Sequence, residues 1–301
     1  MGVYSLGREQ SVFEFAGVKV GGIPGKDPTV LVGTIFYRRE PLVQDEERGL
    51  FDREAAEGHI RVQEELSDVS GIPCMLDIES SSAQALERYI DFAVEVTDEP
   101  IMMGGPTPEV RLAGLRRVEE AGIQDRVIYN SLMPGCGSEE ITAIREAGVD
   151  SAVLLAYNVS ELTTSGRIRA LQGLLDEAGE GGICRPLLDT FVMDVPSLGI
   201  AFDAFREAKE RFGFPVGCGP HNAVGLWKGL KTKFGLKSKR SVVAAVNAFA
   251  ASAGADWILY GPIETARIAF PAVAMVETAV GFKRMQGGER LGRGHPMFRV
   301  A

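Results

Sequence analysis

No segment of this sequence is apolar for 18 consecutive residues, and no apolar core follows a basic start. Neither a membrane-spanning helix nor a secretory leader is expected, so the chain reads as cytoplasmic, without direct membrane insertion. Cysteine is scarce: Cys74, Cys136, Cys184 and Cys218 stand far apart and form no CxxC pair. That spacing provides neither a disulfide framework nor a zinc ribbon, and free thiols suit a reducing compartment. Positive charge is short as well. Lys and Arg number 32 against 41 Asp and Glu, a net charge of -9. A nucleic-acid binder needs clustered Lys and Arg to neutralise phosphates, so that class is set aside. The local exception is the run KGLKTKFGLKSKR, Lys228 to Arg240. A GxGxxG fingerprint is missing after the first strand-like run, which lowers the case for an open, doubly wound sheet.

What is present is ordinary globular material, 45% hydrophobic and 24% charged, enough for a large core. SVFEFAGVKVGG alternates apolar and polar residues around Ala16-Gly17, which predicts an N-terminal β-hairpin over about 11–22. Eight short apolar runs follow, at 29–36, 73–79, 100–105, 126–132, 151–158, 185–193, 215–219 and 256–261. Each is apolar on both faces, as buried parallel strands are. Helical segments separate them, with recurrent Ser, Thr or Asp starts and Gly stops; Asp52, Thr107-Pro108, Gly71 and Gly122 are examples. Pro271 is expected to kink or delimit the last helix. Eight strand–helix units predict an α/β fold, a (β/α)8 TIM barrel over about 28–282, behind the hairpin and before an irregular C-terminal tail. No linker or change of composition divides residues 1–301, which are read as one domain.

A barrel of this kind gathers its site at the C-terminal ends of the strands. Asp77, Asn130, Asn158, Asp189, His221, Asn222 and Glu264 all fall at or just beyond such ends, with Asp194 close by. A carboxylate inside an apolar strand is costly unless something compensates it. A single one can be a local cap; agreement at six strand ends points to a site. The set is rich in Asp and Asn, suited to a neutral ligand with several N–H donors.

The order of motifs resembles the pterin-binding methyltransferases, and most closely the H-subunit branch of the tetrahydromethanopterin S-methyltransferases with its bacterial relatives. The resemblance rests on VFEFAGVKVGG, PTVLVGTIFY, RVQEELSD, YIDFAVEVTDEP, TPEVR and IYNS, and extends from about Val12 to Gly281. It implies a methyl group exchanged between N5 of tetrahydrofolate and the cobalt of a corrinoid (cobalamin-type) cofactor carried by a partner protein. The alternatives are a tetrahydromethanopterin-dependent H subunit in a membrane-associated complex, and a non-catalytic pterin-binding protein. It also implies a homodimer. Asp77, Asn130, Asp189 and Asn222 sit on strand ends that match pterin-contacting positions of the wider group. There is one departure: many relatives carry Asp on the third strand, where this chain has Gly104.

The chemistry of a reduced pterin fits these residues. Its 2-amino group and N3–H present a pair of donors that one carboxylate, Asp189 or Asp77, can accept. An amide such as Asn130 serves both O4 and N8–H. Asn222 is the candidate catalytic residue near N5, with Asn158, His221 and Glu264 as further substrate-binding candidates. Dihydropteroate synthase chemistry would require a Lys in the sixth-strand region, and RPLLDTFVMDVPS has none. Cys218-x-x-His221 is half of a zinc site, but no third ligand is legible beside it, the other cysteines are single and His59 falls in the first helix, so no protein-bound metal is expected. His221 then stacks on the ligand, caps a turn or is a solvated loop residue. The basic run is a solvated helix edge, or else it receives the glutamate tail of a folate or an acidic corrinoid partner.

Overall fold

The computed structural model describes residues 6–300. β1 (Val12–Phe15) and β2 (Val18–Gly21) form the antiparallel hairpin. Its two turn residues, Ala16 and Gly17, both have positive φ, the backbone that a two-residue hairpin turn needs. β3 (Val30–Ile35) starts the barrel. A short hairpin that sequence reading missed, β4 (Val43–Asp45) with β5 (Leu50–Phe51), is inserted before the first helix. The remaining barrel strands are β6 (Cys74–Ile78), β7 (Ile101–Gly104), β8 (Val127–Leu132), β9 (Ser151–Leu155), β10 (Arg185–Asp189), β11 (Val216–Cys218) and β12 (Trp257–Pro262). All eight pair in parallel, and β12 closes on β3. The expected barrel is therefore present, with its strands centred on the expected runs.

Ten α-helices are described: α1 (Arg53–Ser70), α2 (Ala83–Val96), α3 (Pro108–Ala121), α4 (Ser138–Glu146), α5 (Thr164–Glu180), α6 (Ser197–Phe212), α7 (His221–Leu226), α8 (Gly229–Phe234), α9 (Ser238–Ser252) and α10 (Ala266–Gln286). Their ends follow the local chemistry. Asp52, Ser82 and Thr107 accept hydrogen bonds from Ala55, Ala85 and Val110 N–H as N-caps, and Gly71 and Gly122 turn left-handed at the C-caps. Pro271 does not delimit α10, which runs through it. A proline removes one hydrogen bond near the helix start, about 3 kcal/mol at most sites. Burial of Ala269, Phe270, Val273 and Ala274 offsets that loss. The tail is also more ordered than expected: it turns at Pro296–Phe298, and His295 is buried there. Ile263–Gln286 is the one span among the described residues long and apolar enough to cross a membrane by length and composition; here its apolar residues join the core between barrel and helices.

Strand parity decides which side chains face inward. Val30, Val32, Met75, Met102, Ile128, Val153, Leu187 and Trp257 fill the barrel interior, and Phe15 and Val20 of the hairpin plug it at the N-terminal end of the strands. The alternate residues, such as Leu31, Leu76, Met103, Leu188 and Cys218, pack outward against the helices. Two residues beyond the interior layer, on the same face, come Thr34, Asp77, Gly104, Asn130 and Asp189. The apolar filling is thus topped by a polar layer at the C-terminal mouth.

Candidate functional site in the barrel mouth

Asp77 is fully buried. Its Oδ1 accepts a 3.0 Å hydrogen bond from Asn130 Nδ2, reaching across β7 from β8. Its Oδ2 is buried and makes no hydrogen bond, and the Thr34 hydroxyl opposite it on β3 is likewise buried and unpaired. An orphaned buried acceptor costs about 1–3 kcal/mol until something donates to it. Burial raises the Asp77 carboxyl to about 6, against the opposing pull of the neighbouring Thr34 hydroxyl and Asn130 amide. With its Nδ2 engaged, Asn130 has its amide oxygen available as an acceptor.

Gly104 explains its own lack of a side chain. A Cβ built on it would stand 2.1 Å from Glu79 Oε1. The Glu79 carboxyl, projected from the residue after β6, fills the space that a side chain on the third strand would take. The acid expected at Gly104 is absent, and a neighbouring strand supplies one in its place. Sequence reading missed Glu79, although it lies two residues after Asp77 and so shares its face of the strand. Burial and the Asp77 charge raise it to about 8, against the pull of Arg111. Burial and the Asp77 charge thus favour its protonated form.

Asp189 faces inward at the end of β10, on the far side of the ring from Asp77. Its Oδ1 accepts from Phe191 N–H at 2.7 Å. Burial raises it to about 7; that hydrogen bond and the charge of Arg167 pull the other way. Arg167 is buried and donates to the Thr190 and Phe191 carbonyl oxygens, at 2.6 and 3.1 Å from Nε and Nη2. It pins the loop that carries Phe191 at φ 60, a left-handed backbone that a non-glycine residue adopts only under constraint.

The turn after β11 separates its polar residues. Cys218 is buried on the helix-facing side of its strand and does not reach the mouth. Burial raises its thiol well above the usual range. His221 packs against Gly261, and its Nδ1 lies 2.8 Å from the Leu259 carbonyl oxygen, so Nδ1 carries the proton and donates. Burial lowers its pKa, so the ring is neutral with Nε2 as an acceptor. Asn222 is exposed at the start of α7 and its Nδ2 donates to the Val192 carbonyl at 3.3 Å.

Three other residues have local partners. Asn158 Oδ1 accepts from Ser160 Oγ at 2.8 Å and Glu161 N–H at 3.1 Å, closing its own loop. Asp194 Oδ1 accepts from Ser197 N–H at 2.9 Å where α6 begins. Glu264 is exposed, accepts from the Tyr37 hydroxyl at 2.7 Å and shares a separate cavity with Glu40 and His59. In the basic run, Lys231, Lys233, Lys237, Lys239 and Arg240 lie around α8 and the start of α9, all of them exposed. Together the mouth offers two carboxylates that ionise near neutrality, one acid with its protonated form favoured, an amide acceptor and a neutral imidazole. Such a set can bind a flat heterocycle edge-on through its N–H groups.

Residues 8–289 match the family model described as Tetrahydromethanopterin S-methyltransferase MtrH subunit. The H subunit of tetrahydromethanopterin S-methyltransferase from Methanopyrus kandleri is 38% identical over 298 residues, 92% of each chain. That of Methanothermobacter thermautotrophicus is 35% identical over 309 residues, covering 99% of this chain and 100% of its own. The H subunit of a putative mtx methyltransferase from Methanosarcina mazei is 37% identical over 292 residues, 92% of this chain and 93% of its own. Among solved structures, dihydropteroate synthase of Yersinia pestis aligns with a TM-score of 0.58 at 14% identity, over 89% of this chain and 98% of its own. That of Xanthomonas albilineans aligns with a TM-score of 0.62 at 17% identity, over 92% of this chain and 99% of its own. At those identities the likeness shows the barrel fold alone.

Proposed function

The chain belongs to the family of the tetrahydromethanopterin S-methyltransferase MtrH subunit, and we propose that it exchanges a methyl group between N5 of a reduced pterin, bound in the barrel mouth, and the cobalt of a corrinoid held by a partner protein. The observation that carries the site assignment is the buried Asp77–Asn130 pair, whose free Oδ2 calls for a donor in the mouth. Asp189 accepts the 2-amino and N3–H pair. The Asn130 amide oxygen and Asp77 accept from the remaining ring N–H groups. His221 Nε2 and Asn222 line the side nearest the reacting nitrogen.

The relatives' names point to tetrahydromethanopterin, whereas sequence reading named tetrahydrofolate. Both pterins share the same 2-amino, N3–H and O4 edge and carry the methyl group on N5, so the same residues serve either. We take tetrahydromethanopterin as the first ligand to test and tetrahydrofolate as the second. As in relatives named as subunits, the chain would work within an assembly, with the corrinoid protein and a second copy of itself as partners.

Methyl transfer between nitrogen and cobalt asks the protein for alignment and for control of charge at N5. When N5 accepts, a methylated corrinoid held by the partner would supply the methyl group to the N5 lone pair and keep the bonding electrons, while N5 would release its proton into the mouth or to solvent. When N5 donates, it must first be protonated, because a neutral tertiary amine is a poor methyl donor. Glu79 is the acid in the mouth whose protonated form is favoured. Mixing the protein with methylcobalamin or a methylated corrinoid protein and each reduced pterin tests the reading. Pterin-dependent appearance of Co(I) in single turnover is the expected result. Tight pterin binding without transfer would make the chain a non-catalytic pterin-binding protein.

A further inference from the structure

Beside the mouth lies a second cluster that methyl transfer does not use. Glu40, His59 and Glu264 come from three separate elements: the turn after β3, the second turn of α1 and the single turn after β12. One potential ligand atom from each lies within 4.8 Å of the other two. They line a cavity of about 500 Å³, together with Gln44 and Asp52.

Two of these side chains are left in need of a partner. Glu40 is 2% exposed. Its Oε2 accepts from the Phe36 N–H, while its Oε1 is buried without any hydrogen bond. The Nδ1 of His59 is likewise buried and unpartnered. Glu264 uses Oε1 to accept from Tyr37, which orients the carboxylate as the supporting groups of a metal ligand do. A buried carboxylate beside a second carboxylate is costly without a cation. No Lys or Arg lines the cavity among the described residues.

The geometry points to a divalent transition-metal site formed by Glu40, His59 and Glu264, with zinc as the ion that suits it best. Carboxylate oxygen and imidazole nitrogen both bind zinc at about 2.0–2.2 Å, and tetrahedral ligand atoms then lie about 3.3–3.6 Å apart. The 4.8 Å limit is wider than that spacing, so the three side chains would draw together around the ion. Three protein ligands leave a fourth position for water or a ligand atom, the pattern of sites that do chemistry rather than hold a fold. Imidazole argues against magnesium, which prefers oxygen ligands and retained water. Burial and the Glu264 charge raise the Glu40 carboxyl to about 8, against the Phe36 N–H bond, and a cation in the cavity would reverse that. The site is distinct from Cys218-x-x-His221, where Cys218 faces the helices.

The test is metal retention, read without pterin or corrinoid, so that it stands or falls apart from the methyl-transfer reading. The full chain is stripped with chelator, then titrated separately with zinc, manganese and magnesium, with metal content read by plasma mass spectrometry and thermal unfolding followed in parallel. The expected result is one equivalent of zinc and a raised melting temperature, with magnesium ineffective. Glu40→Gln, His59→Ala and Glu264→Gln should each weaken zinc binding beyond the ~10–100-fold that loss of a supporting group costs. Glu264→Gln changes only an exposed side chain and keeps the test valid if the buried variants misfold. No stoichiometric zinc would overturn the inference and leave a shared proton as the cluster's partner. Equal zinc binding by wild type and Glu264→Gln, or binding of magnesium in preference to zinc, would overturn it as well.

Discussion

Asp189→Asn removes a charge while keeping size and shape, so it isolates the electrostatic part of pterin binding. Only the ionised carboxylate accepts both N–H groups of the pterin edge. Burial holds Asp189 at about 7. At about pH 8 some nine-tenths of it is ionised, and at about pH 6 some one-tenth, so wild-type affinity should rise about ten-fold across that interval. Binding should also release a proton at about pH 6, visible by calorimetry in buffers of different ionisation heat. Hydrogen bonds to a charged group are worth about 1.5–3 kcal/mol, which converts to a loss of about 10- to 150-fold for the Asn variant near pH 8. The variant should show a shallower pH profile, because Asp77, at about 6, and Glu79, at about 8, still titrate. An unchanged affinity in the variant, or an equal pH slope in both proteins, would refute Asp189 as the acceptor.

Other outcomes follow from the same geometry. The folded-state carboxyls of Asp77, Asp189 and Glu79 all lie above their ordinary values, so the stability their protonated forms confer is fully present below about pH 4 and is lost as pH rises from there through the folded values of about 6, 7 and 8. Ligand-free Asp189→Asn should therefore melt higher than wild type at about pH 8 and lose that advantage progressively towards about pH 4, as thermal unfolding would show. Gly104→Ala should displace Glu79 and cost about 1–3 kcal/mol; Gly104→Asp combined with Glu79→Ala should restore both fold and pterin binding, and failure of the pair to recover would detach Glu79 from the site. Asn222→Ala should slow single-turnover transfer about ten-fold while changing pterin affinity less, since contacts strengthened in the transition state enter the rate constant; equal losses of rate and affinity would make Asn222 a positioning residue.

The barrel was legible because each of its signals is local. Runs such as PCMLDIE are apolar on both faces, and Thr107-Pro108 with Gly122 bracket α3 by capping chemistry alone. The β4–β5 hairpin was not legible: VQD and LF are too short for a period to declare itself. Asp77, Asn130 and Asp189 were legible as residues of the barrel mouth because each is a polar residue closing an apolar strand. Glu79 was hidden at the rim of the same run, and its role depends on the empty space over Gly104, which only the neighbouring strand reveals. Asn158 has the same sequence signature as Asn130, yet its oxygen turns back onto its own loop. Glu264 was legible at its strand end, but Glu40 and His59, brought near it by the turn after β3 and by α1, were not. Cys218 looked like a ligand beside His221 until strand parity placed it against the helices.

The proposed transfer requires a reduced pterin held edge-on at the C-terminal mouth of the barrel. A structure of the protein with tetrahydromethanopterin or tetrahydrofolate bound tests it most directly. Expected are the 2-amino and N3–H edge within hydrogen-bond distance of Asp189, a ring N–H donating to the otherwise unpartnered Oδ2 of Asp77, and N5 open to the mouth on the side of Asn222. A pterin bound elsewhere, in the Glu40–His59–Glu264 cavity or outside the barrel, with Asp77 Oδ2 still unpaired, would contradict it.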